Sequence, residues 1–395
     1  LAKLPSPLYV ADAKEMAMSW CEIEPDPHAP IKVLVLQGGG ALGSYQAGVF
    51  EALDAACFCP QWVAGISIGA INGAIIAGNR PEHRLDRLRE FWTLVTSGLP
   101  FETPTFESSG LATSWQQTAA AFTAMGGAPG FFRPLWPPAM PWLRGPLAWY
   151  DTSPLRDTLE RLVDWDLLNA GHVRLSVGAV NVETGNFRYF DTAHERLGPE
   201  HVMASGALPP GLPPVKIDGQ WWWDGGLVSN TPLDHVLESE AAQDMLVLQV
   251  DLFPASGPLP ESIAEVEERV LDIRFSSRTR LNTDANVRLA AVRQAFWRLV
   301  EQLPDDLKAS ADVEVLKAAA RQNRVAIGQL IYRNRAGSGK TRGREFSRTT
   351  MHAHWEAGRT AVEGCIGAAV RLLEAMPDGV TSHDLTRLSL KETTE

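Results

Sequence analysis

The 395-residue chain is poor in cysteine, with only Cys21, Cys57, Cys59 and Cys365. Four are too few for a disulfide-stapled scaffold, and their spacing matches no zinc site. Long apolar runs are also missing. The longest charge-free stretch, Ser108 to Phe132, carries Gln116, Gln117, four glycines and several hydroxyls, too polar to cross a bilayer. The opening LAKLPSPLYVADAKEMAMSW has no charged leader followed by a continuous apolar run. A cytoplasmic protein that touches a membrane at most from outside is therefore expected. Internal repeats and coiled-coil heptads are absent as well. What is present, 45% hydrophobic and 21% charged residues, is ordinary for a globular protein and excludes a disordered chain. Thirteen Trp against five Tyr is the unusual count.

The net charge of −11 is unevenly spread. Residues 1–260 hold 15 Lys and Arg against 28 Asp and Glu, whereas 261–360 hold 18 against 13. Nucleic acid is excluded as the main partner, because phosphate affinity needs dense basic contacts and the front of the chain is acidic. The basic part peaks in RQNRVAIGQLIYRNRAGSGKTRGREFSR (321–348). This reads either as a solvated face and loop or as a patch for anionic lipid headgroups.

Residues 1–30 read as an arm with a short helix over roughly 10–20, ending in EPDPHAP. IKVLVL (31–36) is a strand buried on both faces of a parallel sheet. A glycine turn and a helix follow, then a second strand QWVAGI (61–66) and a helix of small residues. Further strands are predicted at 173–182, 186–190 and 245–250. This alternation indicates an α/β fold with a parallel sheet. Past the Pro/Gly/Ser-rich stretch at 255–260 the pattern turns helical. Leu289, Val292, Phe296, Leu299 and Leu303 repeat at helical spacing, as do Val362, Ile366, Val370 and Leu373. Between them RVAIGQLIYR suggests an added edge strand.

Three motifs carry chemistry. Gly65-Ile66-Ser67-Ile68-Gly69 is a G-x-S-x-G at a strand-to-helix junction, where a sharp turn lets a serine hydroxyl project from the sheet edge. Gly38-Gly39-Gly40 directly follows the first strand, so its N–H groups can converge on an oxygen with no Cβ in the way. Gly38, Gly40 and Gly43 also satisfy the dinucleotide fingerprint, but no acidic residue stands between Asp54 and Glu82 to hold a ribose. Asp224-Gly225-Gly226 follows a short apolar strand and reads as a turn that sets a carboxylate at a sheet edge.

Together, GGGALGSYQAGV, GISIG and DGG, with MASGALPPGLPPVKIDGQWWWDGG leading to the last, resemble the patatin-like phospholipase family over roughly residues 31–255. The remainder, with EFSRTTMHAHWEAG, resembles the C-terminal extension of a bacterial subgroup. The resemblance implies a three-layer α/β/α domain with a mainly parallel sheet over 31–255, and a mostly helical region over 256–395. It implies a serine acyl hydrolase acting on lipid carboxylic esters, in the manner of a phospholipase A or lysophospholipase. Carried over by position, Ser67 is the nucleophile, Asp224 the base, Gly38, Gly39 and Gly40 the oxyanion hole. Gly65, Gly69, Gly225 and Gly226 support the turns, and Asn230 and Pro232 fix the second one. Leu42 departs from the arginine many bacterial members carry there. The alternatives are a catalytically weak lipid- or protein-binding module that kept the fold and, behind it, a dinucleotide-binding oxidoreductase.

No cofactor and no metal are expected. Gly337-Ser338-Gly339-Lys340-Thr341 imitates a P-loop end, but Asn334 replaces its first glycine. His352 and His354 diverge on a helix and lack a third ligand. A histidine triad finds no recognisable loop histidine; His235 is on a predicted helix. Finally, the aromatic and proline-rich stretch 98–150 reads either as an auxiliary core layer or as a lid and acyl-binding wall at a lipid surface.

Overall fold

The computed structural model describes residues 29–98, 109–135, 147–238, 243–320, 323–333, 345–376 and 378–387. The predicted N-terminal helix, the Gly337–Thr341 loop and the centre of the aromatic insertion lie outside them.

The first strand, β1 (Ile31–Leu36), fills the middle of a nine-stranded sheet. Its continuous apolar run is explained by its two faces: Leu34 and Leu36 enter a large core on one side, Val33 and Val35 a smaller one on the other. β1 lies parallel to β2 (Trp62–Gly65) on one edge and to β9 (Met245–Asp251) on the other. β2 continues, still parallel, to β5 (Arg174–Asn181). Helices α1 (Gly43–Ala55), α2 (Ile68–Ala77), α3 (Pro81–Val95) and α5 (Ser153–Leu162) contribute to the larger core, and α8 (Leu233–Glu238) and α9 (Ile263–Glu301) to the smaller. The result is the expected three-layer α/β/α arrangement. Within the aromatic insertion the described residues form α4 (Ser109–Gly126) and a two-stranded ribbon, β3 (Arg133–Pro134) with β4 (Tyr150–Asp151).

Strand β5 has three partners, and their registers explain the site. β6 (Phe187–Asp191) runs antiparallel along Ser176–Val180. That overlaps both the β2 pairing at Arg174–Val177 and the pairing of β8 (Gln220–Asp224) at Ala179–Asn181, so β2 and β8 share the opposite edge. They meet there end to end. Gly65 faces Val177 and Asp224 faces Ala179, two residues further along, which brings the end of β2 to the end of β8.

The C-terminal third is mostly helical, as expected, and it also adds two strands to the sheet. β10 (Val325–Ile331) pairs with β9, and β11 (Val380–Asp384) with β10, both parallel. The segment expected to be an edge strand is therefore internal, and β11, a short polar sequence VTSHD, takes the edge. Helix α12 (Arg348–Glu363) packs backbone to backbone against α1: a Cβ on Gly358 would lie 2.1 Å from the Tyr45 carbonyl oxygen. The stripe Leu289, Val292 and Leu299 on α9 does not face the core, since all three side chains are exposed.

Candidate active site

Ser67 stands between β2 and α2 with φ 56° and ψ −121°, a left-handed conformation costly for any residue with a Cβ. The flanking glycines allow it. A Cβ on Gly65 would meet the Gly69 carbonyl oxygen at 2.3 Å, and one on Gly69 the Leu36 carbonyl oxygen at 2.3 Å. The turn therefore needs hydrogen at both positions. Ser67 caps α2, whose N-terminal dipole end favours negative charge beside it. Its own N–H donates to Ser205 Oγ at 3.0 Å, and Ser205 is fully buried.

Asp224 ends β8 and is 2% exposed. The Ser67 side chain lies beside its carboxylate in the wall of one cavity, and the Gly226 N–H donates to Oδ1 at 2.7 Å. Burial outweighs the lowering influence of Ser67 and of the Gly226 N–H and pushes the carboxyl up to about 6. Gly225 is required by packing: a Cβ there would lie 2.5 Å from the Gly178 carbonyl oxygen on β5.

The glycine turn after β1 closes the arrangement, and its three residues differ in what they offer. The Gly38 N–H already donates to the Asn230 carbonyl at 3.1 Å, so it does not serve as an oxyanion donor in this conformation. Gly39 and Gly40 enter a 3-10 turn (Gly40–Leu42), whose first N–H groups have no acceptor within the turn. Their N–H groups have no backbone acceptor among the described residues in this conformation. Gly40 has φ 58°, which favours glycine, and a Cβ on Gly39 would strike Leu252 Cδ1 at 2.6 Å. Asn230 completes a reciprocal pair, its Nδ2 donating to the Gly38 carbonyl at 2.9 Å. The DGG turn is thus tied directly to the oxyanion loop. Pro232 lies just beyond this pair, and Leu42 is buried in the cavity wall.

Sequence reasoning missed the polar supports beneath these turns. Gln37, fully buried, accepts from the N–H groups of Leu252 (2.6 Å) and Phe253 (3.0 Å), and its Nε2 donates to Thr231 Oγ1 at 3.0 Å. Its carbonyl accepts from Gln46 Nε2 at 2.6 Å. Asn72 Nδ2 donates to Gln46 Oε1 at 2.9 Å, and Trp92 Nε1 to Asn72 Oδ1 at 3.1 Å. Gln37 immediately precedes the glycine triplet, the one signal that could have drawn attention to it.

Ser67, Asp224 and Gly39 open into a cavity of 780 Å³. Its walls are mainly apolar: Ala120, Phe131 and Trp149 come from the aromatic insertion, and Val266 and Val270 from α9. A hydroxyl beside a buried carboxylate, with two N–H groups unpaired within their turn and an apolar chamber, is suited to acyl transfer. His235 is elsewhere. Its Nε2 lies 2.9 Å from Asp191 Oδ2 and its ring stacks on Tyr189 at 4.1 Å. His354 is buried with Nδ1 2.7 Å from the Tyr332 hydroxyl, while His352 is exposed. No cluster of metal-binding side chains occurs among the described residues.

Fold and site together define a three-layer α/β protein with a serine at a strand-to-helix turn over an apolar cavity. The sequence model of patatin-like phospholipase matches residues 34–237, and a second, patatin phospholipase, matches 273–373. The chain belongs to the patatin-like phospholipase family. No curated protein sequence matches it. Similar solved structures include VipD from Legionella pneumophila, at 14% identity over 93% of this chain and 74% of that one, TM-score 0.38. Human GIVD cytosolic phospholipase A2 aligns at 12% identity over 93% of this chain and 64% of its own length, TM-score 0.44.

Proposed function

We propose that the protein is a serine acyl hydrolase that cleaves carboxylic esters of lipids through a Ser67–Asp224 dyad. The observation that carries this reading is that Ser67, at a strained strand-to-helix turn, and the buried carboxylate of Asp224 line the same apolar cavity. In the first step Ser67 Oγ attacks the ester carbonyl carbon and its proton passes to Asp224. The Gly39 and Gly40 N–H groups hold the oxygen that gains negative charge. Collapse breaks the bond to the alcohol, which leaves with the proton from Asp224. Water then gives a proton to Asp224 and attacks the acyl-enzyme, and Ser67 recovers the proton as the acid departs.

A carboxylate raised to about 6 is a better base for serine than an ordinary one near 4, yet remains ionised at neutral pH. The apolar cavity accommodates an acyl chain, with the aromatic insertion as part of its wall. A p-nitrophenyl ester panel on wild type, Ser67→Ala and Asp224→Asn tests the reading. Both variants are expected to lose about 10³-fold or more in kcat/KM. Full hydrolysis by both would remove the dyad, and none by wild type would favour a binding module.

A further inference from the structure

Helix α9 carries its apolar face outward. Ile263, Leu281 and Leu299 follow at eighteen-residue intervals, five full turns each, and are 76%, 60% and 61% exposed. Asp272 and Ala290 lie nine residues beyond Ile263 and Leu281, two and a half turns round, and are buried. The buried side also holds Ser276 and Thr283. An arrangement with polar and small residues inside and aliphatic residues outside is not that of a water-facing helix.

Two further observations say what the face meets. The first is continuity with the cavity. Val266 and Val270, on the same outward side and 44% and 57% exposed, also line the chamber that holds Ser67. Trp149, 57% exposed, lines it from the insertion. The apolar surface therefore runs from the helix into the site. The second is charge. The acids Glu265, Glu267, Glu268 and Asp272 are confined to the first turns of the helix and Glu301 to its end, whereas between Ile273 and Val300 it carries six arginines and one acid, Asp284, in a chain of net charge −11. Exposed Arg274 and Arg288 lie seven residues before and after Leu281, on the apolar side itself. Their stems can lie along apolar surface while the guanidinium groups reach phosphate oxygens. A second copy of the same face would oppose arginine to arginine, whereas an anionic bilayer complements it.

We propose that α9 docks the protein on anionic phospholipid bilayers, its aliphatic face entering the interface and its arginines binding headgroups, so that the cavity opens toward the lipid. The proposal deepens the lipid-ester reading of the site and rests on it for its purpose. Its test is independent of turnover. The full chain carrying Ser67→Ala is co-sedimented with vesicles of phosphatidylcholine alone and of equimolar phosphatidylcholine and phosphatidylserine. Binding is expected only or mainly with phosphatidylserine, weakening as salt rises. Adding Leu281→Glu and Leu299→Glu, both outside the cavity lining, should lower binding about tenfold or more. The thermal melt should not change, nor should p-nitrophenyl butyrate hydrolysis when Ser67 is present. Failure of the parent chain to bind phosphatidylserine vesicles, or equal binding by the Glu variant, overturns the proposal. So does a dimer that the Glu variant converts to monomer while vesicle binding persists. If no ester is hydrolysed but vesicle binding and its loss are seen, the hydrolytic reading fails and docking stands.

Discussion

At the residue scale, chemistry and strain are concentrated at Ser67. Its left-handed backbone is held by its surroundings: Ser205 takes its N–H, and Gly65 and Gly69 admit the turn. The pH dependence follows from Asp224. Its folded-state carboxyl is raised to about 6 by burial, so below that pH it is protonated and cannot accept the serine proton. Measured against a soluble ester, kcat/KM should fall about tenfold per unit on the acid side of pH 6. A flat profile from pH 5 to 8 would remove Asp224 as base. The same shift has a consequence for stability. The proton this group holds in the folded state favours folding below about pH 4, an advantage lost as pH rises through about 6.

At the element scale, the site arises from strand register. β2 and β8 abut on one edge of β5, so residues 157 positions apart in sequence become neighbours. Gln37, at the end of β1, links the glycine turn to the chain after β9 and to Thr231. Replacing it by leucine strands the N–H groups of Leu252 and Phe253 in the core. The Gln37→Leu variant should lose roughly 2–4 kcal/mol in urea unfolding and lose kcat more than it raises KM, since it displaces the donors rather than the chamber. Unchanged kcat with only lowered stability would make Gln37 purely structural.

The strands most legible in the sequence were those with apolar or β-branched runs, most of them buried on both faces, with β6 half-exposed. β1, β2, β5, β6 and β9 lie within a residue or so of their expected bounds. Those misread had patterns set by neighbours that local sequence does not name. β10 is flanked by polar residues and looked like an edge, but β11 covers it; β11 itself is too short and polar to stand out. The α9 repeat identified a helix correctly, yet periodicity cannot say which medium an apolar stripe faces. In the site, glycine-bearing motifs were legible because sharp turns and close approaches tolerate few other residues. Gln37, Gln46, Asn72 and Ser205 were not, because a buried amide or hydroxyl belongs to no motif.

At the scale of the whole molecule, one sheet joins the motif-bearing front to the C-terminal third. α12 lies against α1, and β10 and β11 extend the sheet past β9. A chain cut after residue 255 would leave β9 as an unpaired apolar edge, which favours association between copies. Residues 31–255 alone should therefore be aggregated or molten by size-exclusion chromatography and near-UV dichroism. A monomeric, cooperatively melting fragment would show that the extension is dispensable for folding. The aromatic insertion and α9 approach the same cavity from different parts of the chain, so the chamber too depends on both thirds. No helix among the described residues is long and apolar enough to cross a membrane.

Hydrolysis by this site depends most on Ser67 being the activated nucleophile. Tandem mass spectrometry after treatment with an alkyl fluorophosphonate tests this directly, because the reagent marks a serine only where a base and oxyanion donors assist it. The adduct is predicted on Ser67 of the wild type, absent from Ser67→Ala and at least about tenfold slower to form in Asp224→Asn. An adduct on another serine, or labelling that survives Ser67→Ala, would contradict it.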